Sequence, residues 1–209
     1  MRKILLPLVL VLSTIGMSAG VSNAAKFTEG KEYMAVPQPT AASGDTVEVL
    51  EFFWYGCPHC YSFEPFISKW VETKPANVEF VRVPAVFRPD WKVQGRTYYA
   101  LEQMGKLEQM HIKIFEQIHK NRKQLNTLDD MTGFLVRNGI DKQAFTDAYN
   151  SFAVDGSLRK AISRQSTYNI TGVPTVIING KYMTTGSMAG TYEKMLEVVD
   201  FLVAQESAK

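Results

Sequence analysis

The stretch "EFFWYGCPHCYSFEPF", residues 51–66, decides the fold, because it joins a strand to a helix through two cysteines. Cys57 and Cys60 are the only cysteines in the 209-residue chain. Before them, residues 46–54 are rich in β-branched and aromatic residues, and the near-continuous apolar second half indicates a strand buried on both faces. After them, apolar residues recur at helical spacing. The cysteine pair is therefore predicted to lie where a buried strand turns into a helix.

Further along the chain, a second strand and a helical block follow this helix. Residues 78–83 are a predicted strand, most simply parallel to the first through a right-handed crossover. Residues 90–170 are mostly helical in pattern. Thr127 marks the start of one helix, about 128–137, which Asn138-Gly139 ends, and Asp141 marks the start of the next.

The pattern returns to strand at residues 172–180. Asn179-Gly180 predicts a two-residue hairpin turn, and residues 181–184 the partner strand. A final helix follows over residues 192–199. The complete order is β-α-β, a helical block and β-β-α, which places the chain in the α/β class.

The N-terminus has the pattern of a secretory signal peptide, residues 1–24. Two basic residues precede an apolar run, residues 4–15, which is short for a transmembrane helix. Ser22-Asn23-Ala24 fits a cleavage site. The alternative is an uncleaved N-terminal anchor, and the short apolar run argues against it. We therefore expect export with cleavage after Ala24.

The charge balance argues against a nucleic-acid-binding protein. The chain has 23 basic and 21 acidic residues, and loss of Arg2 and Lys3 leaves 21 of each. A nucleic-acid-binding protein normally carries a basic excess or patch. With 45% hydrophobic and 11% aromatic residues, the chain can build a substantial core without disulfides. One domain, or one domain with an insertion, is expected.

The cysteine pair has four possible roles. A structural staple is disfavoured, because stabilisation by a cross-link grows with loop length and this loop is minimal. A zinc site needs about four ligands, and His111 and His119 are the only other histidines outside the pair. Covalent haem attachment needs a histidine where Tyr61 stands. A redox-active dithiol remains the favoured interpretation.

The chemistry of "CPHC" is that of an oxidant. Cys57 is expected at or beside the N-cap of the helix, where free N–H groups and the macrodipole favour a thiolate. Pro58 suits the first turn, since its missing N–H would be unpaired there. His59 can place a positive charge nearby. A lower thiol pKa stabilises the reduced form, so the Cys57–Cys60 disulfide is readily passed to other thiols.

Two further features stand out. Glu51 is a carboxylate in an apolar strand, so it is either exposed at an edge or buried for a reason. If buried, its pKa is raised, and it could exchange protons with Cys60. Val173-Pro174 opens an otherwise good strand. Spacing alone leaves two alternatives, an ordinary trans proline or a cis peptide in a functional turn.

A signal peptide, Glu51, Cys57-Pro58-His59-Cys60, a helical insertion and Val173-Pro174 together resemble the DsbA family, periplasmic thiol:disulfide oxidants of Gram-negative bacteria. The resemblance covers essentially the whole mature chain. It implies a thioredoxin fold with an inserted helical domain. The expected divisions are residues 25–88, with the N-terminal lead-in, residues 89–170 for the insertion, and residues 171–209.

The resemblance also implies roles for the site residues. Cys57 is the attacked sulfur that forms a mixed disulfide, and Cys60 is the resolving partner. Pro174 is expected to be cis and to pack against the cysteine pair. Val173 is expected to offer backbone groups to an extended substrate peptide. The redox-active disulfide takes the place of a cofactor, and no metal is expected.

Reduced exported proteins are the implied substrates, and a DsbB-like quinone-linked membrane protein the implied reoxidant. A monomer in the periplasm is expected, without nucleic-acid partners. The alternatives are a periplasmic reductase or isomerase, a specialised paralogue with few substrates, and a binding module with incidental cysteines. Isomerases carry an N-terminal dimerisation domain, for which residues 25–46 are too short, and typically have Thr where this chain has Val173.

The aromatic residues around the cysteines divide into two groups. Four phenylalanines are predicted to belong to the core: Phe52, Phe53, Phe63 and Phe66. The sequence leaves open whether Trp54 and Tyr55 lie near the surface where substrate docks. Cys57 is expected to be exposed at the start of the helix, with Cys60 behind it.

Overall fold

In the computed structural model, which describes residues 26–40 and 46–208, a five-stranded sheet carries helices on both faces. The strands are β1 (Met34–Ala35), β2 (Val47–Phe53), β3 (Val78–Pro84), β4 (Thr175–Ile178) and β5 (Tyr182–Thr185). The helices are α1 (Pro58–Thr73), α2 (Lys92–Gln103), α3 (Leu107–His119), α4 (Leu128–Arg137), α5 (Lys142–Tyr149), α6 (Phe152–Thr167), α7 (Gly186–Ala189) and α8 (Tyr192–Ser207). The predicted signal peptide, residues 1–24, lies outside the described residues. Among the described helices, none has the length and apolar character needed to span a bilayer.

The order of the strands in the sheet is β1-β5-β4-β2-β3. β2 and β3 are parallel, with α1 as the crossover between them, as the sequence predicts. β4 is antiparallel to β2, and β5 is antiparallel to β4. The β-α-β and β-β-α units therefore join along β2 and β4, where Val49 lies opposite Ile178.

Strand β2 is buried on both faces, which explains its near-continuous apolar sequence. Val47 and Val49 face the core formed with α1 and α8. Leu50 and Phe52 face the opposite core, which includes Ala161 of α6. Successive side chains of a strand point to opposite faces, so each layer receives alternate residues of β2.

The helices between β3 and β4 build a third core, drawn mainly from α2 to α5. Phe53 at the end of β2 and Tyr55 just after it belong to this same core. Cys57 and Cys60 belong to it as well. The cysteine pair therefore lies where the helical insertion meets the sheet, and the whole arrangement is the predicted thioredoxin fold with an inserted helical block.

Local sequence signals place the helix ends in the insertion. The Thr127 side chain accepts the N–H of Asp130 at 3.1 Å, and that of Asp141 accepts the N–H of Ala144 at 2.8 Å. Both are the predicted N-caps. Gly139 follows α4 with φ +83° and its N–H bonds back to the helix, a conformation that glycine adopts without strain.

The β4–β5 hairpin is one residue longer than predicted. Asn179 and Gly180 have φ of 50° and 62°, as a tight turn of this type requires. However, Ile178 pairs with Tyr182, so Lys181 also belongs to the connection. The two-residue hairpin is therefore wrong, and the partner strand begins at Tyr182.

An additional strand, β1, lies against β5 beside this hairpin. No strand is predicted from the sequence in the N-terminal lead-in before β2. Within it, Met34 and Ala35 pair antiparallel with β5, and the N–H of Val36 donates to the carbonyl of Lys181 at 2.8 Å. Lys181 therefore lies between the two chains: its carbonyl accepts from Val36, and its N–H donates to the carbonyl of Ile178 at 3.0 Å.

Candidate active site

Cys57 is the N-cap of α1 and Pro58 is the first residue of the helix, as predicted. The backbone of Cys57 is extended, with φ −85° and ψ 118°, and its carbonyl accepts the N–H of Tyr61 at 3.1 Å. The first N–H groups of a helix have no partner within the helix. Those of His59 and Cys60 lie at the start of the helix that Cys57 caps, and they act to lower the pKa of its thiol. A negative charge on this sulfur therefore meets donors that the fold has already placed.

The expectation that Cys57 is exposed is wrong. Only 8% of Cys57 is exposed, and Cys60 is fully buried. The reason is the segment before β4, which covers the sulfur: the carbonyl oxygen of Val173 lies 3.5 Å from Sγ of Cys57, within reach of the protonated thiol. Cys57 is thus the more accessible residue of the pair, although little of it is exposed.

The two thiols are driven to opposite ionisation states. The hydrogen bond from the Cys60 side chain, together with the N–H groups of Cys60 and His59, outweighs burial and lowers the pKa of Cys57 from 9.0 to about 6. The charge of His59 makes the smallest of these contributions. Burial, with the neighbouring Cys57, raises the pKa of Cys60 well above its ordinary value. Near neutral pH, Cys57 is therefore the thiolate and Cys60 keeps its proton.

The turn that delivers Cys57 is held by aromatic side chains. The N–H of Cys57 donates to the carbonyl of Trp54 at 2.9 Å, which closes the turn. The Trp54 ring is half-buried and stacks on Trp91, with ring centroids 3.6 Å apart and planes 7° from parallel. Tyr55 is only 1% exposed, so it belongs to the core and offers no docking surface.

Both histidines of α3 contact Tyr55. Its hydroxyl pairs with Nδ1 of His111 at 2.8 Å, and its carbonyl accepts from Nε2 of His119 at 2.7 Å. Among residues 26–40 and 46–208, no three His, Cys, Asp or Glu side chains are grouped so that they could hold a metal ion. In the structure, both histidines are therefore hydrogen-bond partners of Tyr55.

Glu51 is 1% exposed, so of the two alternatives the buried one is found. Its Oε2 accepts from Nε of Arg82 at 3.2 Å, and the two residues lie opposite each other in the β2–β3 pair. Burial raises the pKa of this carboxyl above its usual range, against the lowering effect of Arg82. Its electrostatic effect reaches Cys60, whose pKa it helps to raise.

Arg82 also binds a second buried carboxylate, Glu64 of α1, at 2.9 Å. Glu64 accepts from Ser68 at 2.5 Å and contacts Nε2 of His111 at 3.3 Å. Burial acts to raise the pKa of Glu64, but His111, Arg82 and Ser68 together lower it. A continuous polar chain therefore runs from Glu51 through Arg82, Glu64 and His111 to the hydroxyl of Tyr55.

Sequence reasoning missed Arg82, Glu64 and His111. Counting the parallel register from the predicted strand starts, residues 46 and 78, would place Val83 opposite Glu51, whereas the observed register starts at Val47 and places Arg82 there. Glu64 follows Phe63 on the apolar side of α1, where a carboxylate is as anomalous as Glu51 in β2. No local pattern marked His111, because its partners lie on other elements.

The Val173–Pro174 peptide bond is cis, as the resemblance implied. Val173 is half-buried and packs against the core that contains both cysteines. Its carbonyl is the group that Cys57 contacts. The expected cis bond is therefore confirmed, and the observed contact with Cys57 is made by Val173, whereas packing of Pro174 against the cysteine pair stays a prediction.

A groove of about 810 Å³ lies next to the cysteine pair. The sequence does not predict it. Residues from the segment before β4, from β5 and from α7 and α8 line it, among them His59, Val173, Pro174, Met183, Met188 and Tyr192. The hydroxyl of Tyr192 donates to the carbonyl of His59 at 3.1 Å, which ties the groove wall to the start of α1. The groove is large enough for several side chains of an extended peptide.

Comparison with known proteins identifies relatives over nearly the whole chain. The DSBA-like thioredoxin domain matches residues 48–192. Thiol:disulfide interchange protein DsbA of Pseudomonas aeruginosa is 43% identical over 210 residues, with 100% of this chain and 98% of that protein covered. The protein of the same name from Burkholderia cepacia is 41% identical over 213 residues, covering 100% and 99%.

Solved structures give the same result for the fold. The crystal structure of Pseudomonas aeruginosa DsbA superposes with a TM-score of 0.84 at 45% identity, covering 88% of this chain and 97% of that one. The DsbA oxidoreductase of Xylella fastidiosa superposes with a TM-score of 0.79 at 30% identity, covering 87% and 98%.

Proposed function

Because this chain belongs to the DsbA family of thiol:disulfide oxidoreductases, we propose that it donates the Cys57–Cys60 disulfide to reduced proteins that have been exported from the cytoplasm. The observation that carries this proposal is the placement of the two thiols: Cys57 caps α1 and keeps some exposure, whereas Cys60 is fully buried. This placement lowers the pKa of Cys57 to about 6 and raises that of Cys60. A stabilised thiolate lowers the free energy of the reduced form, which makes the disulfide an oxidant.

The reaction runs through a mixed disulfide at Cys57. A substrate thiolate attacks Sγ of Cys57, the Cys57–Cys60 bond breaks, and Cys60 leaves with the electron pair and takes up a proton. A second substrate thiolate then attacks the substrate sulfur of the mixed disulfide. The substrate disulfide forms, and Cys57 leaves as its stabilised thiolate. The substrate has lost two electrons, which the cysteine pair now holds.

Position supports this assignment of roles. Cys57 retains 8% exposure beside the groove, whereas Cys60 has none, so an incoming thiolate reaches Cys57 first. Pro58 is the first residue of the same helix, and the charge of His59 acts to lower the pKa of Cys57. The backbone of Val173, next to cis Pro174, is suited to bind an extended substrate segment as a transient strand.

Glu51 is proposed to pass protons to and from Cys60. Its raised pKa, caused by burial, keeps its proton available in the range where Cys60 must be protonated on leaving. Glu51→Gln is therefore expected to slow the steps that protonate or deprotonate Cys60. In this variant Arg82 still binds its second carboxylate, Glu64, so the fold is expected to persist.

The two electrons must leave for the enzyme to turn over. A DsbB-like quinone-linked membrane protein is the proposed acceptor, and the periplasm of a Gram-negative bacterium the proposed location, after cleavage of residues 1–24. A monomer is proposed. Because the chain has two cysteines, each can pair only with the other, and no wrong disulfide can form within one molecule. No cofactor besides the disulfide and no metal is proposed.

The test is the redox equilibrium of the cysteine pair with glutathione. Reduced protein is equilibrated with glutathione buffers of graded ratio, quenched by alkylation, and the oxidised fraction is measured. We expect the protein to remain reduced where thioredoxin-like proteins are already oxidised. Oxidation of a reduced two-cysteine peptide, with Cys57→Ser and Cys60→Ser as inactive controls, is followed in parallel.

A thioredoxin-like equilibrium would instead support the reductase, and rearrangement of a scrambled peptide without net oxidation would support the isomerase. A strongly oxidising pair that transfers its disulfide to few of the reduced proteins tried would indicate a specialised paralogue. A pair that reacts with none would leave only the binding module.

A further inference from the structure

Helix α3 holds the redox turn at two points that lie on either side of Cys57. Nε2 of His119 donates to the carbonyl of Tyr55, two residues before Cys57, at 2.7 Å. The ring of His119 also stacks on Tyr61, four residues after Cys57, with centroids 5.0 Å apart and planes 10° from parallel. One imidazole therefore spans the segment that carries the reactive sulfur.

The bond to Tyr55 satisfies a carbonyl that the turn itself leaves without a partner. The turn is closed by the N–H of Cys57 on the carbonyl of Trp54, so the carbonyl of Tyr55, in the middle of the turn, takes no part. Tyr55 is 1% exposed, and a buried carbonyl without a donor is costly. His119, the last residue of α3, supplies the donor from the helical insertion.

The second contact acts on the first turn of α1. The N–H of Tyr61 donates to the carbonyl of Cys57 at 3.1 Å, which is the bond that starts the helix. Packing of His119 on the Tyr61 ring therefore limits movement of the first turn of α1, which Cys57 caps and whose N–H groups, from His59 and Cys60, act to lower the pKa of the Cys57 thiol. Hydrogen bonds of this kind weaken steeply once distance or angle departs from the optimum.

We propose that His119 is a positioning residue for thiol–disulfide exchange, which holds the turn before Cys57 so that the N–H groups of α1 stay directed at its sulfur. This inference rests on the proposed function. The two contacts of His119 matter more for the reduced form of the cysteine pair than for the disulfide. In the disulfide, the covalent bond itself fixes the Cys57 sulfur, whereas in the dithiol the thiolate depends on the N–H geometry. His119 therefore favours the reduced form and strengthens the oxidant.

The test uses two matched variants. His119→Phe keeps an aromatic ring to stack on Tyr61 but has no donor for the Tyr55 carbonyl. His119→Gln has an amide nitrogen of similar reach that can donate to the same carbonyl. The loss of one hydrogen bond predicts a change of about 3- to 10-fold in the equilibrium with glutathione, toward the disulfide, for His119→Phe. His119→Gln is expected to lie within about twofold of the wild type.

A structural role alone gives a different result. If His119 merely stabilises the fold, its loss lowers the stability of the oxidised and reduced forms equally, and the redox equilibrium does not move. An unchanged equilibrium for His119→Phe, whatever its stability, overturns the proposal. His119→Ala, which adds no bulk at this half-buried helix end, is a second variant with the same expected direction.

The outcome for the wild type separates this inference from the proposed function. A wild-type pair that is not oxidising contradicts the proposed function itself. An oxidising wild type with an unchanged His119→Phe equilibrium contradicts only the role of His119. Titration of the Cys57 thiolate by its ultraviolet absorbance gives an independent reading, since the Phe variant is expected to ionise at higher pH and the Gln variant at the wild-type pH.

Discussion

The thiol of Cys57 couples the stability of the reduced protein to pH. Its pKa is about 6 in the folded state and 9.0 ordinarily, so its contribution is fully present above pH 9 and is lost as the pH falls through 6. Between these values we expect the free energy of unfolding of the reduced protein to rise by about 1.4 kcal/mol per pH unit. The raised pKa of Cys60 acts only above this range.

Urea unfolding across this pH range measures the slope. The oxidised protein is the matched control, because it contains every other titrating group but neither cysteine thiol, and the Cys60 thiol does not titrate between pH 6 and pH 9. The difference between the reduced and oxidised curves isolates Cys57. Parallel curves would mean that the thiol has its ordinary pKa in the folded protein.

Cys60 is expected to influence the ionisation of Cys57 more than His59 does. The Cys60 side chain supplies the largest contribution to the low pKa, and the charge of His59 the smallest. Cys60→Ala is therefore expected to raise the pKa of Cys57 by about one unit or more, since a hydrogen bond to a charged group is lost. Cys60→Ser keeps an O–H donor and should lie nearer the wild type.

His59→Ala is expected to change the pKa of Cys57 less than Cys60→Ala does, and to make the protein only slightly less oxidising. Thiolate absorbance of the single-cysteine and His59 variants gives the ranking. The reverse order would show that charge, and not the buried thiol, controls the sulfur.

Single residues were predictable where their partners are close in sequence. Cys57 as N-cap and Pro58 in the first turn follow from the strand, turn and helix that surround them. Glu51 was left between two alternatives because its partner, Arg82, lies on another strand. The exposure of Cys57 was misjudged for a similar reason, since Val173, which covers the sulfur, is more than one hundred residues away.

At the scale of elements, the turn between β2 and α1 depends on a missing side chain. A Cβ on Gly56 would overlap the indole ring of Trp54. Gly56→Ala is therefore expected to push Trp54 off its stack with Trp91 and to destabilise the protein by about 1–3 kcal/mol. Near-ultraviolet circular dichroism reports the stack, and urea unfolding reports the stability.

Gly156 is the control for this substitution. It lies inside α6, and a Cβ there would meet no atom within 4 Å. Gly156→Ala is expected to stabilise the protein by about 0.5–1 kcal/mol, since alanine is the better helix former. If both alanine variants changed stability alike, the steric role of Gly56 would be refuted.

Elements were well predicted where caps and periodicity are local. The start of α4 at Thr127 and of α5 at Asp141 follows from side chains that bond within their own helix. β1 has no such signal, because two residues carry no measurable alternation and become a strand only by pairing with β5. The length of the hairpin is not a local property either, since Val36, directly after β1, donates to the carbonyl of Lys181 in the connection.

At the scale of the whole molecule, Arg82 joins the sheet to α1 through two carboxylates, Glu51 and Glu64. Their contributions to stability are expected to depend on pH in opposite directions. Burial raises the pKa of Glu51, so its stabilising contribution is complete below pH 4.5 and is lost as the pH rises through the folded value. The pKa of Glu64 is lowered by His111, Arg82 and Ser68 against burial, so its contribution is present above pH 4.5 and lost on acidification.

Glu51→Gln and Glu64→Gln therefore form a matched pair. Near pH 8, Glu51→Gln is expected to raise the free energy of unfolding, by about 1.4 kcal/mol for each unit by which the pKa is raised. Glu64→Gln is expected to lower it at the same pH. Urea unfolding of the oxidised proteins at pH 5 and pH 8 measures both, and a loss of stability in both variants at pH 8 would show that Arg82 needs two charged partners.

The architecture as a whole followed from the order of elements and the resemblance, whereas the polar chain from Glu51 to Tyr55 did not. Its members come from β2, β3, α1 and α3, and only the folded chain brings them together.

The pairing of β2 with β4 has a consequence for the order in which the chain folds. Val49 lies opposite Ile178, so the centre of the sheet cannot close until nearly the whole polypeptide has been delivered. The helices α2 to α6 are contiguous in sequence, and contacts between near neighbours form fastest. When the chain emerges from its N-terminus, the helical block is therefore expected to assemble before the C-terminal strands arrive, and the two cysteines stay free until the sheet closes over them.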